Sequence, residues 1–141
     1  MIVRIDSTKI SDHWEAIKPT IAAAFSSSSV DITEAEFNNI LQQLIAGNMQ
    51  CWMAFREKEP RILMITTFIL DPRGIKSLLI YSVSAYMQNT DAEWLEVYEY
   101  MKEWGKKNNC VNIVAFTQNN RILDIARKFG ATIDNFVTFK I

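Results

Sequence analysis

Glycine and proline are scarce in this sequence: its 141 residues include four glycines and three prolines. Such scarcity leaves little room for linkers or glycine-built loops, and the length corresponds to one domain, residues 1–141, with a buried core. No glycine is left for a phosphate-binding loop, in which glycine lets backbone amides approach an anion. Two glycines are expected to end helices, one to close a turn and one to lie near a helix end: Gly47, Gly130, Gly74 and Gly105.

An excess of positive charge is also missing. The 15 Lys and Arg residues are balanced by 16 Asp and Glu residues, for a net charge of −1. A protein that binds nucleic acid through its phosphates needs a basic surplus or stripe, so we expect no nucleic-acid partner. The single histidine, His13, has no Cys or Asp/Glu cluster beside it and can form neither a metal site nor a histidine-based triad. We interpret it as an exposed residue at a helix start and expect no metal.

Long hydrophobic runs are absent as well. The longest apolar stretch, residues 62–70, is interrupted by two threonines and is too short to span a bilayer. Residues 1–6 lack the apolar core of a signal peptide. The two cysteines, Cys51 and Cys110, lack metal-type spacing and are either buried thiols, which we favour, or a disulfide. These features predict a cytoplasmic protein with no membrane partner.

Hydrophobic residues, at 49%, and aromatic residues, at 11%, are plentiful enough to exclude intrinsic disorder. A short strand is predicted at residues 2–5. The spacing of Asp12 and Glu15 indicates a capping box for a first helix, which Pro19 should kink or split. The serines at 26–29 are predicted to form a loop.

The second helix has the clearest start and end. Thr33 and Glu36 have the spacing of a capping box, and Gly47 is placed to end the helix. The apolar residues between them recur at helical spacing, at Phe37, Ile40, Leu41, Leu44 and Ile45.

Three strands are predicted next, at residues 49–56, 61–70 and 75–86. Residues 57–60 are polar and end in proline, which indicates a turn. Residues 71–74 have proline second and glycine fourth, as in a type I turn. The three strands therefore form an antiparallel meander.

The remaining pattern alternates helices and strands. Residues 91–108 and 119–129 have apolar helical faces, and residues 111–117 are apolar throughout, which is typical of a central strand covered on both sides. Residues 132–141 alternate as a last strand. The order β-α-α-β-β-β-α-β-α-β predicts an α+β fold with a mixed, mostly antiparallel sheet flanked by helices.

The stretch 83–93, VSAYMQNTDAE, resembles a motif of the GNAT superfamily of acyl-CoA-dependent N-acetyltransferases. In that motif a strand ending in Val-x-Pro runs into Arg/Gln-x-x-Gly-x-Gly/Ala and then a helix. Val83 and Gln88 match in position, whereas Ala85 replaces the proline. Asp91 and Glu93 replace the two small residues of the loop.

A second stretch, residues 119–131, is similar to the family's Asn-x-x-Ala-x-x-x-Tyr-Glu-Lys-x-Gly-Phe motif. Asn119, Lys128 and Gly130 match. Ala126 stands where the family has the tyrosine that protonates the departing thiolate. The order of elements extends the resemblance over nearly the whole chain and implies a three-layer GNAT-like fold.

The resemblance also implies a cofactor, acetyl-CoA, and a set of residues that bind it. The pantetheine arm would lie along one strand and the pyrophosphate at the next helix start. Arg121, at the start of a later helix, is a further candidate for a phosphate contact. The residues so assigned are Ser82, Val83, Ser84, Gln88, Asn89, Thr90, Asn119 and Arg121.

The helix start itself argues against tight phosphate binding. Thr90 and Glu93 have the spacing of a capping box, whose oxygens satisfy the amides that a pyrophosphate would use. The carboxylates of Asp91 and Glu93 would also repel a phosphate. We therefore expect acetyl-CoA binding to be weakened or lost.

Aminolysis of a thioester needs a base for the ammonium and an acid, or water, for the thiolate. The strand before the loop offers Tyr81, Ser82, Ser84 and Tyr86 as substitutes, of which Ser84 and Tyr86 are our catalytic candidates. Alternation predicts that Ser82, Ser84 and Tyr86 share one face of the strand. Tyr81 and Val83 then lie on the other face. The alternative is that they are ordinary strand residues, since Tyr and Ser suit a pleated surface.

Two functions follow from these observations. The first is a GNAT-like N-acetyltransferase that transfers an acetyl group from acetyl-CoA to an amine of a small molecule or a protein. The alternative is a GNAT-like module without catalysis that serves binding or assembly, for example in a virus. Eleven residues follow Gly130, where the family often has two strands, so the resemblance implies an open sheet edge that a homo-oligomer would cover.

Overall fold

The computed structural model describes residues 1–25 and 31–141, so the predicted loop at 26–29 lies outside the described residues. The element order agrees with the predicted one as far as the last helix. A 3-10 turn at Ser7–Lys9 precedes the first helix. The elements are β1 (Ile2–Ile5), α1 (Ile10–Ala24), α2 (Glu34–Ala46), β2 (Met49–Arg56), β3 (Glu59–Leu70), β4 (Lys76–Ala85), α3 (Asp91–Lys107), β5 (Asn112–Ala115) and α4 (Asn120–Lys128).

The five strands form one sheet in the order β1-β2-β3-β4-β5. β1 to β4 pair antiparallel, which confirms the meander, and β5 pairs parallel to β4 after the α3 crossover. The mixed, mostly antiparallel sheet is therefore confirmed.

Helices cover both faces of the sheet. Alternation along β3 places Leu63 and Ile65 in the cluster under α1 and α2, and Ile62 and Met64 in the cluster under α3 and α4. This gives the three layers of the predicted fold.

The two cysteines lie in different clusters. Cys51 is buried under α1 and α2, whereas Cys110 is half-buried beside the cluster under α3 and α4. Both are free thiols, so the alternative of a disulfide is wrong.

The start of α1 differs from the prediction. Asp6 accepts from the amide of Thr8 at 2.9 Å and caps the 3-10 turn, which leads directly into α1 at Ile10. Asp12 therefore lies inside the first turn, and its predicted capping box is wrong. Nor does Pro19 split the helix. The residues around it, Ile17 and Ile21, are buried, and their packing outweighs the roughly 3 kcal/mol that an internal proline costs.

The predicted ends of α2 are confirmed. The hydroxyl of Thr33 accepts from the amide of Glu36 at 3.2 Å. Gly47 ends the helix in the left-handed region, with φ 81°, which glycine adopts without a steric penalty.

The connections within the meander are tighter than predicted. Arg56 pairs with Glu59, so the predicted turn at 57–60 is reduced to two residues, and Glu57 adopts a positive φ of 56°. The turn at 71–74 is confirmed by the amide of Gly74, which donates to the carbonyl of Asp71 at 2.9 Å.

Two predictions for the last third of the chain are wrong. In the part of the chain that the structure describes, β5 is an edge strand and its residues are half-buried or exposed, so it is not a covered central strand. Residues 132–141 form no strand, because no ladder partner lies beside them. Their apolar side chains stay exposed, with Phe139 at 86%, although the rings of Phe116 and Phe136 meet at 4.7 Å.

Candidate functional site

β4 and β5 separate part of the way along β4. Their parallel pairing ends at Ile80 and Ala115, whereas β4 continues to Ala85. No strand of the described chain pairs with that side of β4 beyond Ile80. A stretch of extended backbone is therefore left with one open edge.

The register with β3 identifies the backbone groups at this edge. The amide of Tyr86 donates to the carbonyl of Arg61 at 3.0 Å. Because backbone groups alternate in direction along an antiparallel strand, those of Ser84 also face β3, whereas those of Val83 and Ala85 face away from it. The open edge, which we define as the backbone of Val83 and Ala85, can bind an extended ligand through main-chain hydrogen bonds.

A bulge in β4 overturns the predicted alternation. Ile65 pairs with Ser82 and Thr66 with Ile80, so Tyr81 has no partner in β3. Tyr81 packs against Phe25, at 5.1 Å between ring centroids, on the face of α1 and α2.

The serines lie on the same face as Tyr81, because Ser82 is opposite Ile65 and Ser84 opposite Leu63. Val83 packs in the cluster on the other face. The expectation that Tyr81 and Val83 share a face is therefore wrong, since the extra residue of the bulge reverses the alternation.

The hydroxyls of β4 show no sign of activation as a base or nucleophile. Within residues 1–25 and 31–141, the hydroxyls of Ser84 and Tyr86 form no hydrogen bond with another side chain. Burial raises the pKa of both Tyr81 and Tyr86, so each hydroxyl keeps its proton at neutral pH. Such a group can donate a proton but is a poor base.

Beyond the open edge, the chain turns through residues 86–90 into α3, which is capped as predicted. The hydroxyl of Thr90 accepts from the amide of Glu93 at 3.1 Å, and the carboxylate of Glu93 accepts from the amide of Thr90 at 3.0 Å. The capping box is confirmed. Two further amides, those of Asp91 and Ala92, donate to no acceptor in the described chain.

Two arginines from the meander converge on Glu93. Arg56, at the end of β2, donates Nε to Oε2 at 3.0 Å and has a second bond to Oε1. Arg61, on β3 and 1% exposed, brings its Nε to 3.5 Å from the same carboxylate. These contacts, chiefly the hydrogen bonds of Arg56, lower the pKa of Glu93 to about 2.

Asp91 binds the two cations that come from α4. Lys128 Nζ lies 2.9 Å from one carboxylate oxygen and Arg121 Nη2 lies 3.4 Å from the other. Both ion pairs, with Lys128 the stronger influence, lower the pKa of Asp91. Arg121 also reaches the carbonyl of Asn89 at 3.4 Å.

A surface cavity of about 760 Å³ lies at the start of α3, beside these ion pairs. Four of the predicted cofactor residues meet there. Asn119 instead caps α4 by accepting from the amides of Arg121 and Ile122. The sequence analysis did not identify Arg56 or Arg61 as site residues. The one available signal was the charge of Arg61 directly before the apolar part of β3. The cavity is lined by Arg56, Gln88, Asn89, Thr90, Asp91, Glu93 and Arg121.

The cavity does not fit the diphosphate of coenzyme A. Each cation at its rim already binds Asp91 or Glu93, and two of the amides at the start of α3 are used by the capping box. The open edge of β4 is different, since it presents unpaired backbone groups that match the two amide bonds of a pantetheine arm. Ala126, on α4, offers a methyl group where the resemblance implies a phenol.

Metal and membrane sites are not found in the described chain. Residues 1–25 and 31–141 contain no group of three His, Cys, Asp or Glu side chains that could hold a metal ion. His13 is exposed in the first turn of α1, as expected. No helix among the described residues has the length and apolarity needed to cross a membrane.

No protein-family model matches the sequence, and no curated protein matches it either. Solved structures do match, over almost the whole chain. A protein described as a predicted acetyltransferase from Clostridium acetobutylicum, solved with acetyl-CoA, superposes with a TM-score of 0.74 at 13% identity, over 99% of this chain and 95% of that one.

Two further acetyltransferases superpose over 100% of this chain. An aminoglycoside acetyltransferase from a soil metagenomic sample, bound to sisomicin, has a TM-score of 0.70 at 13% identity over 93% of its length. A ribosomal-protein-alanine N-acetyltransferase from Brucella melitensis has a TM-score of 0.66 at 8% identity over 98% of its length. At such identities the likeness concerns the fold, and this chain has the fold of the GNAT acetyltransferases.

Proposed function

We propose that this protein is a GNAT-like N-acetyltransferase, which transfers an acetyl group from a thioester of the acetyl-CoA type to an amine of a small molecule or a protein. The open edge of β4 carries the proposal, because it offers extended main-chain donors and acceptors where β5 separates from β4. A pantetheine arm would add to this edge as a short strand does. The acetyl-CoA complex of a neighbour with the same fold supports the choice of donor.

The reaction makes modest demands on the side chains. A neutral amine attacks the thioester carbon, the C–N bond forms and the C–S bond breaks. The nitrogen releases one proton to solvent, and the departing thiolate takes up one proton. Ser84 lies within the open edge and Tyr86 directly after it. These two are the candidates for donating that proton, since Ala126 has none to give. The raised pKa of Tyr86 keeps its hydroxyl protonated for this role.

Thioester binding and thiol release test the proposal. Titration calorimetry with acetyl-CoA and with acetyl-pantetheine should show that at least one donor binds, and a panel of amines should release free thiol from that donor. Absence of binding by both donors at millimolar concentration would rule the enzyme out.

A matched pair of variants locates the binding. Val83→Pro removes one amide from the open edge without breaking a bond to β3, whereas Val83→Ala shortens the same side chain and keeps that amide. We expect Val83→Pro to weaken donor binding about tenfold relative to Val83→Ala, as the loss of one hydrogen bond would. Equal binding by both variants would place the donor elsewhere.

Two observations favour a second function, a GNAT-like binding or assembly module without catalysis. Ala126 removes the acid that the resemblance implies, and the rim cations are already paired. This alternative expects neither donor binding nor thiol release in the experiments above.

A further inference from the structure

We infer that the donor of this site is a pantetheine thioester without a diphosphate, and that Asp91 and Glu93 enforce this choice. The inference rests on the proposed function and concerns the class of donor. It is carried by the way in which the chain's own carboxylates bind the cations and one backbone amide at the start of α3.

Glu93 is the first of these carboxylates. One of its oxygens accepts from the amide of Thr90, and both bind the guanidinium of Arg56. Arg61 approaches from beneath, and its own guanidinium also donates to the carbonyl of Glu93 at 3.3 Å. A diphosphate that used these donors would have to displace a carboxylate that belongs to the helix itself.

Asp91 is the second of these carboxylates, and it binds the two cations that come from α4. Its two oxygens face different cations, Lys128 and Arg121, so neither is left without a negative partner. The side chain stands at the first position of α3, next to the two amides that remain free, those of Asp91 and Ala92. A phosphate approaching these amides would have to compete with the Asp91 carboxylate for the same two cations.

The open edge of β4 is independent of this charge arrangement. Its hydrogen-bonding groups are the backbone amides and carbonyls of Val83 and Ala85. Neither residue takes part in the ion pairs at the start of α3. The pantetheine portion of a donor therefore keeps its binding surface, whereas the nucleotide portion of coenzyme A gains no attractive contact. Donors with this chemistry are a free acyl-pantetheine or an acyl-pantetheine that ends in a single phosphate.

Three donors of increasing charge test the inference by calorimetry: acetyl-pantetheine, acetyl-4′-phosphopantetheine and acetyl-CoA. We expect acetyl-CoA to bind no tighter than acetyl-pantetheine, within about threefold, and its affinity to change little with salt. Comparison of acetyl-4′-phosphopantetheine with acetyl-pantetheine shows whether the preferred donor ends in one phosphate or in none. Acetyl-CoA binding about tenfold tighter than acetyl-pantetheine would overturn the inference and leave the proposed function intact.

Variants show whether the carboxylates cause the selectivity. Asp91→Asn with Glu93→Gln should tighten acetyl-CoA binding about tenfold and leave acetyl-pantetheine binding unchanged. Glu99→Gln, an exposed residue further along α3, is the matched control and should change neither. An unchanged affinity for acetyl-CoA in the double variant would overturn the inference.

If the double variant does not fold, the salt dependence of the unaltered protein decides, since a steep loss of acetyl-CoA affinity with salt would also overturn the inference. Failure of all three donors to bind would reject the proposed function together with the inference.

Discussion

The guanidinium of Arg56 binds the carboxylate of Glu93, with Nε 3.0 Å from Oε2, and donates Nη2 to the carbonyl of Gln88 at 3.0 Å. One side chain at the end of β2 thereby fixes both the loop before α3 and the first turn of that helix. The positive charge of Arg56 is thereby neutralised by a carboxylate of the chain itself, as an anionic ligand would otherwise neutralise it. Arg56 therefore ties the end of β2 to the start of α3.

The stability of the protein should depend on pH through the ionisation of Glu93. Its pKa is lowered to about 2 from an ordinary value of 4.5, so its ionised form stabilises the folded state above about pH 4.5. That contribution is lost as the pH falls from about 4.5 to about 2. We expect the melting temperature of the protein to fall in this window, and to fall less steeply in Glu93→Gln, as followed by circular dichroism. The same slope in both proteins would contradict this role for Glu93, and Glu99→Gln is the control.

Loss of the α3 cap should cost measurable stability. Thr90→Ala removes the hydroxyl that accepts from the amide of Glu93, and such a loss costs about 1 kcal/mol. Thr90→Ser keeps a hydroxyl oxygen at this position and should lower the free energy of unfolding by no more than about 0.3 kcal/mol. Urea denaturation of both variants measures the difference. A Thr90→Ala protein as stable as the Thr90→Ser protein would show that Glu93 caps the helix without Thr90.

Arg61 should be far more sensitive to substitution than an exposed arginine. It is 1% exposed and donates to the carbonyl of Phe55 at 3.2 Å and to Oδ1 of Asn89 at 3.2 Å. Arg61→Met removes these bonds and leaves buried acceptors unsatisfied, which should lower the free energy of unfolding by about 3 kcal/mol. Arg73→Met, whose side chain is 76% exposed, is the control and should change it by less than about 0.5 kcal/mol. Equal effects of the two variants would contradict the buried placement of Arg61.

The two cysteines should differ in reactivity. Cys51 is 0% exposed and burial raises the pKa of its thiol to about 12, so almost none of it is thiolate at neutral pH. Cys110 is half-buried and should react first with an aromatic disulfide reagent. We expect one thiol to react in the native protein and two after denaturation, with the native reaction lost in Cys110→Ala. Fast labelling of native Cys110→Ala would contradict the burial of Cys51.

Self-association is expected through the exposed C-terminal segment, residues 132–141. Val137 is 70% exposed and Phe139 86% exposed, so their apolar side chains favour contact with a second copy. Sedimentation equilibrium should show a dimer, and Val137→Lys with Phe139→Lys should convert it to a monomer. Asp134→Asn, in the same segment, should not. A monomer at all concentrations before any substitution would refute the expectation.

Local elements were well predicted, because their signals lie within a few residues. The faces of the helices, the end of α2 at Gly47 and the capping box of Thr90 and Glu93 all follow from spacings of three or four residues. The misplaced start of α1 has a local cause too, since the capping residue is Asp6 and the 3-10 turn intervenes.

Strand environments were predicted less well, because they depend on the neighbours of a strand. The apolar sequence of β5 is compatible with a central or an edge position, and only the sheet order assigns it to the edge of the described sheet. Residues 132–141 alternate like a strand, yet alternation supplies no hydrogen-bonding partner. The bulge at Tyr81 likewise arises from the register between β3 and β4.

By itself, the sequence determined that α3 caps itself and that no glycine serves a phosphate loop, because both follow from residue identity and short spacing. Only the tertiary structure decided what surrounds that cap. Arg56 lies 37 residues from Glu93 and Lys128 lies 37 residues from Asp91, and the folding of the sheet and of α4 brings each pair together. The tertiary structure also decided where β4 loses its partner strand, since a strand's free edge is a property of the whole sheet.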